Sequence, residues 1–135
     1  MNASTSRRTP TVEVSWGELF DKLTILEIKE RRLSSAAAVA NVRRELAALR
    51  AAVAGVEPAA EVAALKAKLT EVNEKLWEIE DAIRAKEAAG SFDQGFVELA
   101  RSVYFSNDRR AELKREINTL LDSAFVEEKQ YTRYR

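Results

Sequence analysis

Apolar residues recur every three or four positions over most of this chain, which is the spacing of one face of an α-helix. The most regular stripe comprises Val62, Leu65, Leu69, Val72, Leu76, Ile79 and Ile83. A second stripe comprises Phe92, Phe96, Leu99, Val103, Leu113, Ile117 and Leu120. Apolar and polar residues nowhere alternate over a stretch long enough to indicate a sheet. The pattern therefore predicts an all-α fold.

Capping signals place two helices in the N-terminal half of the chain. Ser15 followed by Glu18 matches a capping box, in which both side chains bind amides at the start of a helix. This predicts a helix over about 16–33. The apolar frame then slips at Ser34 and Ser35, which predicts a fresh N-cap and a second helix over about 36–54. Because the apolar residues of the first helix cover more than one stripe, we expect it to be the central helix.

A long antiparallel hairpin follows these two helices. Pro58 suits the first turn of a helix, and Gly90 suits the position after its end. The hairpin is therefore predicted to consist of helices over about 59–89 and 92–121, packed with the two N-terminal helices. The predicted organisation is a flexible arm at 1–11, a single helical-bundle domain at 12–125 and a loosely ordered tail at 126–135.

Two polar residues interrupt the apolar stripe of the fourth helix. Ser106 and Arg110 stand where the three-four spacing calls for core residues. An unpaired cation inside a protein costs several kcal/mol. We therefore expect Arg110 to have a partner.

Polar and aromatic residues also form a line beside each apolar stripe of the hairpin, and these two lines are the candidate polar site. Its members are Asn73, Trp77, Glu80 and Arg84 on the third helix, and Tyr104, Asn107, Arg110, Lys114 and Asn118 on the fourth. If the lines meet, Glu80 is expected to pair with Arg110 or Lys114. Three interpretations stay open: a buried network that fixes helix register, a pocket for an anionic ligand, or a protein interface.

Composition narrows the possible chemistry. The 135 residues include 22 Lys and Arg and 22 Asp and Glu, so the formal net charge is zero, which disfavours a nucleic-acid partner. Cysteine and histidine are both absent, which excludes disulfides, the usual zinc and haem sites, and catalytic triads that need histidine. We predict no metal, no cofactor and no catalytic residue.

The sequence also bears on location. No apolar run approaches the roughly 20 residues that span a bilayer. Residues 1–10 are polar and lack the apolar centre of a secretory signal. The expectation from these two features is a cytoplasmic protein without a membrane span.

Three segments resemble a family of small bacterial all-helical proteins. They read VSWGELFDKLTILEIK at 14–29, LWEIEDAIR at 76–84 and LARSVYFSNDRR at 99–110. The family has no known function, so the resemblance implies no activity. Because its members occur beside genes for surface-polysaccharide glycosyltransferases, the resemblance implies a link to bacterial surface-polysaccharide synthesis.

These observations favour a non-catalytic helical interaction or assembly protein, whose partner is another protein or a second copy in a homodimer. The alternative is a binder of a small anionic metabolite, or a metal-independent enzyme acting on one. In that alternative Arg84, Arg110 and Lys114 contact the anion, and Glu80 serves as acid or base. Helical chorismate mutases work without metal, histidine or cysteine, but their arginine and lysine pattern has no match on the first helix of this chain.

Overall fold

The computed structural model describes residues 7–134 and contains four helices within them. These are α1 (Trp16–Arg32), α2 (Ala36–Val53), α3 (Ala60–Ala88) and α4 (Gln94–Leu120). The described part of the chain contains no strand, so the all-α prediction is confirmed. Part of the predicted arm, at 1–6, and the last residue of the predicted tail lie outside the described residues.

Side-chain caps start three of the helices. Ser15 Oγ accepts the Glu18 N–H at 3.1 Å, which confirms the Ser15 half of the predicted capping box, whereas the Glu18 carboxylate contacts Lys114. Ser35 Oγ accepts the Ala38 N–H at 3.3 Å, which confirms the fresh N-cap at the frame slip. Asp93 Oδ1 accepts the Phe96 N–H at 2.9 Å. Each cap satisfies an amide that the helix itself leaves unpaired.

The start of α3 differs from the prediction. Ala59 is its N-cap and no side chain caps it, so Pro58 lies before the helix rather than in its first turn. The N–H groups of Val56 and Glu57 instead bind the Val53 carbonyl in a turn after α2. Pro58 falls within this turn, where its missing N–H leaves no bond unmade. At the other end Gly90 adopts a φ of 65°, which confirms it as the terminating glycine.

Helix α1 lies at the centre of the fold, as predicted. It contacts α2, α3 and α4, whereas α2 contacts α1 alone among the helices. Helices α3 and α4 pack against each other as the hairpin. The four helices contribute apolar side chains to one buried core. These include Phe20 and Leu23 of α1, Leu46 and Val53 of α2, Val62 and Leu69 of α3, and Leu113 and Ile117 of α4. Burying each such side chain stabilises the fold by about 1.5–3 kcal/mol.

The ends of the predicted α4 stripe are exposed. Phe92 is 60% exposed because it precedes the first residue of α4. Leu120, the last residue of α4, is also exposed. Residues 123–134, which we call the C-terminal segment, follow without a helix or strand.

Gly17 allows α1 to approach α4 closely. A Cβ built at this position would lie 2.9 Å from Asn118 Oδ1 and would also clash with the Lys114 carbonyl oxygen. The Lys114 carbonyl belongs to the α4 backbone, so it cannot move aside as the end of a long side chain does. Only glycine therefore fits at this contact without a shift of the helices.

We expect Gly17→Ala to separate α1 from α4 and to lower the free energy of unfolding by about 1–3 kcal/mol, the usual cost of overpacking. Thermal unfolding measures the effect. Gly55→Ala is the matched control, because nothing lies within 4 Å of a Cβ at Gly55. Equal melting temperatures for the two variants would contradict the close contact.

Candidate functional site

The polar interruption of α4 leads to a buried ion pair. Arg110 donates from Nε to Asp21 Oδ1 at 2.8 Å and from Nη2 to Asp21 Oδ2, so the pair is bidentate. Asp21 is 1% exposed, whereas the Arg110 side chain is 30% exposed. The prediction that Arg110 has a partner is confirmed. That partner comes from α1 and not from α3.

A third helix joins this ion pair through Asn73 of α3. Its Nδ2 group donates to Asp21 Oδ1 and to Thr24 Oγ1, each at 3.0 Å. Thr24 in turn donates to the Asp21 carbonyl oxygen at 2.9 Å. Asn73 and Thr24 are both buried. The network therefore ties α1, α3 and α4 together with matched donors and acceptors.

Lys114 forms a second polar contact one helical turn further along α4. Its Nζ lies 2.8 Å from Glu18 Oε2 of α1 and 2.8 Å from Glu127 Oε2 of the C-terminal segment. The Lys114 side chain is only 10% exposed. Two carboxylates thus compensate one largely buried ammonium group.

Asn118 binds the N-terminus of α1. Its Oδ1 accepts the Gly17 N–H at 2.6 Å and the Ser123 hydroxyl at 3.0 Å. Ser123 Oγ also accepts the Trp16 N–H at 2.9 Å. Together with the Ser15 cap, these contacts occupy the first three amides of α1. The positive end of this helix is therefore already bonded to the protein.

Charge pairing shifts the pKa values of three groups. The hydrogen bond to Asp21 raises the pKa of Arg110. Burial alone would lower the pKa of Lys114, but its hydrogen bonds to Glu127 and Glu18 raise it overall. The hydrogen bond from Lys114, with a further one from Lys129, lowers the pKa of Glu127 from 4.5 to about 2. All three groups are charged at neutral pH.

A cleft of about 620 Å³ lies between α4 and the C-terminal segment. Its lining residues on α4 are Tyr104, Asn107, Asp108, Arg110, Ala111 and Lys114, and those on the segment are Lys129, Tyr131, Thr132 and Tyr134. Four residues of the candidate polar site therefore line one cavity. The volume falls within the range of about 300–1,000 Å³ that is typical of small-molecule pockets.

The α3 half of the candidate polar site does not reach this cleft. Arg84 Nε donates to Glu80 Oε2 at 3.0 Å, so these two residues pair with each other on an exposed face. The guanidinium carbon of Arg32 lies 6.0 Å from the ring centroid of Trp77. The predicted pairing of Glu80 with Arg110 or Lys114 is therefore wrong. Glu80 has a partner one turn away on its own helix, while α1 supplies nearer carboxylates to both cations.

The sequence pattern did not identify three acidic residues of this region as members of the candidate site. Asp21 and Glu18 lie on α1, whose apolar residues cover several faces and so obscure which polar residues point inward. Glu127 lies in a segment without helical periodicity. The one available signal was the Ser15–Glu18 capping motif, which marks the start of the helix that carries two of the three residues.

The chain belongs to a known family. The family model described as Family of unknown function (DUF6165) matches residues 10–134, which agrees with the resemblance seen in the sequence. No curated protein and no solved structure matches the chain. Among residues 7–134, no helix is both long and apolar enough to cross a bilayer, and no cluster of acidic side chains is arranged to hold a metal ion.

Removing the carboxylate of Asp21 should destabilise the fold strongly. Asp21→Asn leaves Arg110 without its counter-ion, which for a pair with one partly exposed member costs about 3 kcal/mol. Chemical denaturation measures the loss. Glu80→Gln is the control, because its pair with Arg84 is exposed and contributes at most about 0.5 kcal/mol. A loss for Asp21→Asn no larger than that of the control would refute a structural role for the pair.

The lowered pKa of Glu127 predicts how pH acts on the C-terminal segment. The folded chain keeps Glu127 charged, so its contact contributes stability above the ordinary pKa of 4.5 and loses it as pH falls through about 2. A titration of the Glu127 carboxyl carbon by NMR should give the low value. Lys114→Met should return the pKa of Glu127 towards 4.5, and Arg84→Met should leave it low. A midpoint near 4.5 in the unchanged chain would count against the Lys114–Glu127 contact.

Proposed function

We propose that this member of the DUF6165 family binds a small molecule with an anionic group in the cleft between α4 and the C-terminal segment. The observation that carries the proposal is the convergence of Tyr104, Asn107, Arg110 and Lys114 on one cavity. Such a combination of aromatic walls with a few placed polar groups is typical of ligand pockets. No catalytic residue is assigned.

Within residues 7–134, Arg110 and Lys114 of α4 retain hydrogen-bond donors beyond those that bind carboxylates. A guanidinium has five N–H groups, and Arg110 directs two of them to Asp21. An ammonium has three, and Lys114 directs two of them to Glu18 and Glu127. Because their side chains are already fixed by ion pairs, little side-chain entropy remains to be lost when a ligand accepts the remaining donors.

The charge balance disfavours a ligand with two negative charges. The cations at the cleft are Arg110, Lys114 and Lys129, and the carboxylates paired with them are Asp21, Glu18 and Glu127. Asp108 also lines the cleft, so carboxylates outnumber cations there and no surplus positive charge compensates a dianion. Hydrogen bonding rather than net charge then determines affinity, which suits a carboxylate better than a phosphate.

Assembly is the second candidate function, and a different surface favours it. Phe92 and Val97, at the loop end of the hairpin, are 60% and 44% exposed. Aromatic side chains are enriched at protein interfaces. The expected interaction or assembly role, and the link to surface-polysaccharide synthesis, remain hypotheses.

Thermal unfolding in the presence of aromatic monocarboxylates and, separately, inorganic phosphate tests ligand binding. A bound compound at about 100 times its Kd raises the free energy of unfolding by about 2.7 kcal/mol. Asn107→Ala should reduce the rise, because Asn107 is an exposed polar residue that lines the cleft from α4 and takes no part in the buried network. Arg84→Gln, outside the cleft, should not. Absence of any rise, or an equal rise in both variants, would overturn the proposal.

Light scattering on the same samples reports the molecular mass. A dimer that Phe92→Ser converts to a monomer, together with no effect of any compound, would favour assembly over ligand binding.

A further inference from the structure

The C-terminal segment places a carboxylate on Lys114. Glu127 Oε2 lies 2.8 Å from Lys114 Nζ, and Arg115 Nη2 donates to the Glu127 carbonyl oxygen at 3.3 Å. Glu18 of α1 contacts the same ammonium. The Lys114 ammonium therefore binds two carboxylates, one from α1 and one from the C-terminal segment.

The same segment places a phenol ring on the aromatic residues of α4. The ring centroid of Tyr134 lies 4.9 Å from that of Tyr104 and 5.3 Å from that of Phe105. The interplanar angles of 67° and 76° are those of edge-to-face packing. Tyr134 also donates its hydroxyl hydrogen bond to Asp108. This end of the cleft therefore binds a hydroxyaryl group.

Beyond the bonds of Ser123 and the exposed pair of Glu128 with Arg115, several apolar residues of the segment are exposed. Tyr131 is 75% exposed, Phe125 is 51% exposed and Val126 is 44% exposed. A stretch with few buried apolar contacts opens at a lower free energy than the helical core. The contacts of Glu127 and Tyr134 are therefore the ones that a competing molecule has to replace.

We propose that Glu127 and Tyr134 of the C-terminal segment occupy two contact points for a ligand on the α4 wall of the cleft, and that the ligand is a hydroxyaryl carboxylate that displaces these two side chains. This inference rests on the proposed function and names its ligand class. The carboxylate of the ligand takes the place of Glu127 on Lys114, and its phenol ring takes the place of Tyr134 beside Tyr104 and Asp108. No covalent step is involved.

The axial spacing of Asp108 and Lys114 guides the choice of ligand length. Asp108 and Lys114 are six positions apart on α4, which is about 9 Å along a helix that rises about 1.5 Å per residue. A phenol joined to a carboxylate by a short linker has a comparable extended length. 3-(4-Hydroxyphenyl)propionate is therefore the probe of choice.

Calorimetric titration of the full chain with this probe tests the ligand class. Two analogues serve as controls: 3-phenylpropionate, which lacks the hydroxyl, and 3-(4-hydroxyphenyl)propan-1-ol, which lacks the carboxylate. The probe should bind more tightly than either analogue, by about ten-fold over the alcohol, because a charge-assisted bond is lost there. Equal binding of the three compounds would overturn the assigned chemistry.

Displacement of the segment is measured separately, as the rate of trypsin cleavage after Lys129 and Arg133. Intact-mass spectrometry identifies the cleaved products. The probe should accelerate this cleavage, and the alcohol should not. Glu127→Gln and Tyr134→Phe should each raise the affinity for the probe several-fold, because each removes a competing contact. Glu128→Gln is the matched control, since Glu128 pairs only with the exposed Arg115 among the contacts of residues 7–134.

The outcomes separate the two proposals. If the probe binds but leaves cleavage unchanged, and Glu127→Gln binds it no better than Glu128→Gln does, the displacement inference is wrong and the proposed function stands. If the three probes fail while other monocarboxylates stabilise the chain, the hydroxyaryl assignment alone is wrong. If no compound binds the chain or any variant, both proposals fall.

Discussion

The buried carboxylate of Asp21 is the group on which the arrangement of α1, α3 and α4 depends. A carboxylate that is 1% exposed is stable inside a protein only when donors replace its lost water. Arg110 supplies two such donors from α4 and Asn73 supplies one from α3. Moving any of the three helices would leave a buried charge or amide unmatched, so the network restricts how the helices can pack.

This constraint also determines how the N-terminus of α1 meets α4. With Asp21 fixed on Arg110, Gly17 comes against the Lys114 backbone, and a side chain there would clash. The amides of Trp16 and Gly17 then meet Ser123 and Asn118. Anion recognition at the cleft consequently falls to side chains, because the helix N-terminus has no amide to offer in its first turn.

The helices were predictable because the information for them is local. Caps such as Ser15 and Ser35 and the terminating Gly90 act within a few residues, and the three-four spacing identifies the buried faces. The need of Arg110 for a partner was also predictable, because Arg110 occupies a core position of the apolar stripe. The identity of that partner was not, because Asp21 lies 89 residues away on a helix with apolar residues on several faces. The contribution of Glu127 was hidden for another reason, because its segment has no periodicity.

The two interpretations of the polar lines, a network that fixes register and a pocket for a ligand, are not exclusive in this fold. Arg110 and Lys114 are held by Asp21 and Glu18 of α1, and both also line the cleft. Ion pairs behind a binding group fix its position before a ligand arrives, which reduces the entropy lost on binding. A residue can therefore stabilise the helix packing through some of its hydrogen-bond donors and present the others to the cleft. In such a site a loss of stability on mutation does not argue against a role in binding. Affinity therefore has to be measured in variants of cleft residues outside the buried network, such as Asn107.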